Sequence, residues 1–231
     1  MLKTTPFHER TGALCVSHGW RRWAGYLVAS SYELSHEREY HAIRSSAALF
    51  DVSPLYKYLV RGKDAARLLD LVVTRSIQEL KVGQVAYTPW CDAAGKVLDD
   101  GTVARLDETT FRMTAAEPNL RWLQDNAAGL DVTIKDVSDS IAALSLQGPA
   151  SRTILGDLEL KYFRLARAEI GDIGSNGSAH SHGWSHTKPS AGAECCFAQP
   201  ERRSIVERAL RPQTEIVEPT HVAHSAEGGN L

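Results

Sequence analysis

The sequence predicts an α+β fold with a largely antiparallel sheet and packed helices. Three observations between residues 56 and 158 favour this class: segments of strand-like composition, helical segments placed among them, and short turns that join strands directly. Strands joined by a short turn pair antiparallel, because a parallel pair needs a crossover of about a dozen residues or more. An antiparallel sheet with helices packed against it is typical of α+β domains.

The first elements follow from composition and spacing. Tyr56–Val60 is rich in aromatic and β-branched residues, which predicts a strand. Residues 63–73 place apolar side chains at helical spacing and predict a helix. Residues 84–90, 97–106 and 111–116 are predicted as three further strands, joined to one another by short turns.

A second helix is predicted over residues 118–128. Pro118 stands at its first position and Gly129 just past its end, where each residue type favours a helix boundary. The remaining predicted elements are strands over 130–137 and 141–149 and a helix over 150–158.

The last third of the chain has a different composition. Residues 172–200 are dense in Gly, Ser, His, Ala and Pro and show neither strand nor helix periodicity. Ordering such a segment costs more conformational entropy than its few apolar residues return on burial. We therefore predict a folded domain over residues 1–171 and an irregular, poorly ordered tail over 172–231, with one short helix at Glu201–Arg211.

Charge and hydropathy exclude several classes of partner. The formal net charge is −2, so no basic surface indicates nucleic acid or anionic lipid. The longest apolar runs, such as Leu68–Val73, are too short to span a membrane, and the N-terminus lacks the apolar core of a secretory signal. The four cysteines form neither a CxxC motif nor a disulfide framework. We expect a cytoplasmic monomer with reduced thiols and no nucleic-acid or membrane partner.

The adjacent carboxylates in "VLDDGTVARL" are unusual within a predicted strand, where aspartate is depleted. Strand alternation puts Asp99 and Asp100 on opposite faces, so they cannot form a dyad. The apolar residues on the face of Asp100 are Leu98, Ala104 and Leu106. We expect Asp100 to point inward, where desolvation makes it a stronger base and hydrogen-bond acceptor, and Asp99 to lie on the surface beside Arg105. A bulge at Gly101 would break this parity. In the alternative interpretation the pair only shapes a bulged, edge-like strand.

Tyr87 lies on the strand before this one, across the predicted turn. A tyrosine beside an inward carboxylate can stack on a flat heterocycle or hydrogen-bond to it. The alternative is that Tyr87 is an ordinary core residue.

Three sequence blocks resemble the N-terminal part of the glycine-cleavage T-protein (aminomethyltransferase) family. They are "AALFDVSPLYKYLVRGKDAARLLD", "VAYTPWCDAAGKVLDDGTV" and "IAALSLQGPASRTIL", and they occur in the order and spacing of that family. The resemblance covers roughly residues 18–170. The stretch that follows the Asp pair is similar to the folate-dependent demethylase-like branch.

The resemblance implies a T-protein-type folate-binding domain, tetrahydrofolate as cofactor, and transfer of a one-carbon (aminomethyl or methyl) group. It implies that Asp100 is the catalytic aspartate beside the reactive folate nitrogen and that Tyr87 contacts the folate. The implied partners are a small-molecule one-carbon donor, with a lipoyl carrier protein as a further candidate.

The family continues after the third block with a "GYTG" segment and a glutamate, and this chain has "RLARAEIGDIGSNG" instead. We expect the C-terminal part of the family pattern to be missing or out of frame. Two alternatives to the transferase therefore stay open: a non-catalytic, truncated family member, and an interaction module without transferase activity.

The His-rich segment "HSHGWSH" and the adjacent pair Cys195 and Cys196 suggest zinc at first sight. The histidines, His180, His182 and His186, lack the spacing of a defined zinc site. We predict no metal site.

Overall fold

The computed structural model of the chain describes residues 2–151, 153–154, 171–172, 180–185, 192–198 and 215–216, the last four segments by their backbone. The helices are α1 (His8–Thr11), α2 (His36–Ser45), α3 (Ala65–Val72) and α4 (Leu120–Asn126), with 3₁₀ turns at Gly12–Leu14 and Ser138–Ser140. The strands are β1 (Lys3–Thr4), β2 (Trp20–Trp23), β3 (Tyr26–Ala29), β4 (Ala48–Asp51), β5 (Tyr56–Arg61), β6 (Val85–Cys91), β7 (Val97–Arg105), β8 (Thr110–Ala115), β9 (Thr133–Asp136), β10 (Ile141–Gln147), β11 (Gly171–Asp172), β12 (His180–Ser185), β13 (Gly192–Ala198) and β14 (Glu215–Ile216).

The described strands form three sheets. The central one has the order β6-β7-β8-β5-β9, and all of its neighbouring pairs are antiparallel. A second sheet has the order β11-β12-β13-β10-β4-β14, and a small third sheet has the order β1-β3-β2. Helices α3 and α4 accompany the central sheet, so the α+β class with a largely antiparallel sheet is confirmed.

The main hydrophobic core lies between the central sheet and helices α3 and α4. Its fully buried members include Tyr58, Trp90 and Phe111 from the sheet and Leu68 and Leu69 from α3. Burying side chains of this size stabilises the folded state by about 1.5–3 kcal/mol each. The core therefore fixes the helix-side face of the sheet, and the opposite face of β6 and β7 carries the candidate site.

The predicted elements from residue 56 onward correspond closely to the observed ones. The predicted strand over 97–106, for example, is β7. Helix α4 is shorter than predicted: it begins at Leu120, so Pro118 precedes the helix rather than opening it. The reason is that Asn119, the residue at the N-cap, is held outside the helix by hydrogen bonds to the sheet. Gly129 does follow the helix, with a φ of 78°.

The division into a domain over 1–171 and a poorly ordered tail over 172–231 stays a prediction, because most of that tail lies outside the described residues. Two predicted helices also stay predictions. The helix at Glu201–Arg211 and most of the helix over 150–158 lie outside the described residues. Within the described backbone, β13 pairs antiparallel with both β12 and β10. In the part of the chain that is described, no helix combines the length and apolar character needed to cross a bilayer.

Gly62 and Gly95 provide a test of the turns that bound the central sheet. Gly62 has a φ of 142°, and a Cβ there would collide with the backbone carbonyl of Asp131. Gly95 has a φ of 78° and open space around it. We expect Gly95→Ala to lower the free energy of unfolding by about 1 kcal/mol and Gly62→Ala by about 3 kcal/mol, measured by denaturant titration. Equal losses would contradict the packing described for Gly62.

Candidate functional site

The site is built on the hairpin of β6 and β7. Its register pairs Trp90 with Asp99 and Pro89 with Asp100. Because side chains alternate along each strand, Asp99 shares the face of Trp90, and Asp100 shares the face of Tyr87. Trp90 is fully buried in the core, whereas the side chains of Tyr87 and Asp100 are exposed.

Tyr87 and Asp100 are in direct contact. The Tyr87 hydroxyl donates a hydrogen bond to Oδ2 of Asp100. Among the described residues, Oδ1 of Asp100 accepts no hydrogen bond, and 40% of Tyr87 is accessible to solvent. The two side chains therefore present an open carboxylate oxygen next to an accessible aromatic ring.

The expected orientation of the two aspartates is wrong. Asp99 is the buried one, 8% exposed, and Asp100 is exposed. The apolar residues used to assign the inner face do not mark it: Leu98 is 42% exposed at the end of the hairpin, and Ala104 is buried on the face opposite to the helices. Burial of Val103 together with Asp99 identifies the core side.

The expected surface pair of Asp99 and Arg105 is also absent. The Arg105 guanidinium donates to the carbonyl oxygen of Leu80 at 2.7 Å and to the carboxylate of Glu108 at 3.2 Å. Arg105 therefore stabilises the far end of β7 and takes no part in the site.

Asp99 is held by three N–H groups. Its Oδ1 accepts from the backbone N–H of Asp100 at 2.7 Å. Its Oδ2 accepts from the backbone N–H of Glu117 at 2.9 Å and from Nδ2 of Asn119 at 2.8 Å. These charge-assisted bonds replace the water that the buried carboxylate has lost.

Asn119 connects this carboxylate to the core. Its Oδ1 accepts from the indole N–H of Trp90 at 3.1 Å, and its backbone N–H donates to the Tyr58 hydroxyl at 2.8 Å. Sequence reasoning missed this residue. Its place directly before α4 is typical of an N-cap residue, but its side chain makes no capping hydrogen bond, so that pattern does not predict the contact with Asp99.

Gly101 follows the two aspartates on β7, and the space around it admits no side chain. A Cβ at this position would collide with the carbonyl oxygen of Thr114 on β8, and it would lie 3.4 Å from the Trp90 ring. The strand has no bulge at Gly101, and the register shift of the hairpin lies at its end, between Trp90 and Cys91. The alternation of Asp99, Asp100 and Gly101 is therefore undisturbed.

The face that carries Asp100 continues as a polar row across β8 and β5. The hydroxyls of Thr102 and Thr114 lie 2.6 Å apart. Beside Thr114, the fully buried Lys57 donates from Nζ to the carbonyl oxygens of Ser53 and Leu55. Thr114 and Lys57 are buried, so the accessible part of the row is the end with Asp100 and Tyr87.

The described residues contain no group of three or more His, Cys, Asp or Glu side chains placed to hold a metal ion. The side chains of the His-rich segment and of Cys195 and Cys196 lie outside the described residues. Cys15 and Cys91 are free thiols.

The contact with Asp100 predicts a measurable titration. The hydrogen bond to Asp100, partial burial of the phenol and the negative charge of Asp100 together raise the pKa of Tyr87 to about 12. In Asp100→Asn the neutral amide disfavours the phenolate less, so the pKa of Tyr87 should fall toward its ordinary value of about 10. NMR of ¹³Cζ-labelled tyrosine between pH 7 and 11 measures this change.

Tyr58 is the internal control for that titration. Burial, rather than a carboxylate, is the main reason that the pKa of Tyr58 is raised to about 12. Tyr58 should therefore stay protonated over the same pH range in both proteins. A Tyr87 resonance that titrates no earlier in Asp100→Asn would contradict the contact.

Comparison with solved structures supports the fold. The structure of the glycine cleavage system aminomethyltransferase T from Bartonella henselae superposes with a TM-score of 0.82 at 24% identity, covering 94% of this chain and 60% of that one. A heterotetrameric sarcosine oxidase from Corynebacterium sp. U-96 superposes with a TM-score of 0.52 at 18% identity, covering 90% of this chain and 91% of that one.

Sequence comparison gives the family. An aminomethyltransferase from Clostridium botulinum (strain Loch Maree / Type A3) is 35% identical over 184 residues, which are 74% of this chain and 48% of the relative. A trimethylamine-oxide aldolase from Ruegeria pomeroyi is 33% identical over 187 residues, 74% of this chain and 23% of that protein. The chain spans about half the length of the curated aminomethyltransferases it matches. Residues 4–176 match the GCVT N-terminal domain model, and the chain therefore belongs to the GCVT (glycine cleavage T-protein) family.

Proposed function

We propose that this chain carries the folate site of a tetrahydrofolate-dependent one-carbon transferase of glycine cleavage T type. The observation that carries the proposal is the contact of Tyr87 and Asp100 on the accessible face of the β6–β7 hairpin. Family membership supports the same reaction class, since curated relatives are aminomethyltransferases.

The chemistry of the two side chains fits a reduced pterin. A pterin presents N–H donors at the edge of a flat ring. Oδ1 of Asp100 is an acceptor with no other partner among the described residues, and the exposed ring of Tyr87 offers a surface for stacking.

In this proposal Asp100 is the catalytic residue, and Tyr87 and Asp100 both bind the cofactor. Tetrahydrofolate supplies an amine nitrogen to which the one-carbon unit is transferred. The Asp100 carboxylate orients the N–H of that amine and stabilises positive charge that develops on it. The Tyr87 hydroxyl holds the carboxylate in one rotamer through its hydrogen bond to Oδ2.

The donor of the one-carbon unit is the part of the function that the relatives leave open. One of them is named for aminomethyl transfer and another as an aldolase of trimethylamine oxide. We propose a small-molecule donor, with a lipoyl carrier protein as a candidate partner. A monomeric, cytoplasmic protein without a nucleic-acid or membrane partner remains the prediction.

Thermal unfolding of the full chain with and without tetrahydrofolate tests the proposal. A ligand that binds only the native state stabilises it, by about 2.7 kcal/mol at a hundredfold excess over Kd. We expect the Tm of the wild-type chain to rise with tetrahydrofolate and the rise to be largely lost in Asp100→Asn.

Asp125→Asn is the matched control. It makes the same carboxylate-to-amide change in an exposed ion pair with Arg121, away from the hairpin, so it should keep the wild-type response to folate. Folate binding without transfer from any donor would favour a non-catalytic family member. No Tm shift at millimolar folate would favour an interaction module and contradict the proposed function.

A further inference from the structure

We infer that Asp99 is a positioning residue for the proposed reaction: its buried carboxylate fixes the backbone from which Asp100 reaches the cofactor. The inference rests on the role proposed above for Asp100. Asp99 itself lies on the core side of β7, opposite to the accessible face, so it does not contact the cofactor.

The first argument is the direct link between the two residues. Oδ1 of Asp99 accepts the backbone N–H of Asp100 at 2.7 Å, and this bond restrains the peptide plane that carries the Asp100 side chain. The Tyr87 hydroxyl restrains the other end of the same side chain, its carboxylate. Asp100 is thus held at its backbone from the core side and at its carboxylate from the open side.

The second argument is the anchoring of Asp99. Its Oδ2 is bound by the Glu117 N–H and by Asn119, both in the connection between β8 and α4. Asn119 is in turn fixed by the buried side chains of Trp90 and Tyr58. The position of Asp100 is therefore fixed by the core of the domain as well as by its own hairpin.

The third argument is the requirement for a carboxylate. Three N–H donors converge on the two oxygens of Asp99, and an ionised carboxylate is an acceptor at both oxygens. An asparagine would direct its own N–H₂ at one or two of these donors. Asp99→Asn therefore leaves at least one of these N–H donors unpaired and shifts the local backbone.

Catalysis is sensitive to such shifts, since a displacement of about 1 Å can lower a rate about 100-fold. We expect Asp99→Asn to lower the kcat of the full chain for one-carbon transfer to tetrahydrofolate by about 10- to 100-fold. The protein should stay folded at the assay temperature. In an Asp100→Asn background, adding Asp99→Asn should change kcat by less than about twofold, because Asp99 acts through Asp100.

Asp70→Asn is the matched control for a purely structural effect. The Asp70 carboxylate also accepts backbone N–H groups, those of Ile77 and Gln78, but it lies on α3 rather than on the hairpin. It should lower Tm and leave kcat unchanged well below Tm. If Asp99→Asn behaves in the same way, with wild-type kcat, the inference is overturned.

A second measurement does not depend on activity. In the ¹⁵N-labelled chain without folate, the Asp100 amide should exchange slowly with solvent, and Asp99→Asn should remove this protection while the Val103 amide keeps its own. If Asp99→Asn does not fold, Asn119→Ala is the second variant: it removes one of the three donors to Asp99, together with the acceptor of the Trp90 indole N–H, and should reproduce the loss to a smaller degree.

The outcomes separate the two hypotheses. If the wild-type chain neither binds folate nor transfers a one-carbon unit, the proposed function fails and the catalytic part of the inference is overturned with it. If transfer depends on Asp100 but the Asp100 amide is equally protected in wild type and Asp99→Asn, the function stands and the positioning role of Asp99 is overturned.

Discussion

The buried carboxylate of Asp99 is the constraint on which the arrangement of the site depends. Removing an ionised carboxylate from water costs several kcal/mol unless hydrogen bonds replace its hydration. Here one donor comes from β7 and two come from the segment before α4. If either β7 or the segment before α4 moved alone, the Asp99 carboxylate would lose hydrogen-bond donors. The hairpin and the connection to α4 are therefore fixed relative to each other.

The architecture of the central sheet is the part of the molecule that the amino-acid pattern determines most directly. Residues 84–116 alternate between strand-like segments and short turns, and short turns leave antiparallel pairing as the only arrangement. The proximity of Tyr87 and Asp100 follows from the same register, because the turn places β6 beside β7. The sequence patterns did not predict the elements before residue 52, helix α2 among them.

The faces of β7 could not be assigned from its own residues, for a physical reason. Val103 and Ala104 are adjacent and both buried, so each face of the strand carries apolar side chains and hydrophobic parity does not distinguish them. The partner that makes burial of Asp99 favourable, Asn119, is 20 residues away in sequence. A long-range hydrogen bond of this kind leaves no periodic signal in the strand it stabilises.

Different physical constraints act on the three consecutive residues Asp99, Asp100 and Gly101. The first must be an anion because three donors face it, and the third must lack a Cβ because the Thr114 carbonyl occupies that space. The middle residue, Asp100, is the one whose side chain lies on the accessible face, where its carboxylate accepts the Tyr87 hydroxyl. A related protein with another residue at that one position would lose the hydrogen bond from Tyr87, but we expect it to keep the buried carboxylate, the glycine and the strand pairing of the hairpin. The two outer residues therefore serve the architecture of the hairpin, and under the proposed function the middle residue, Asp100, is the one whose replacement would remove transfer while leaving that architecture in place.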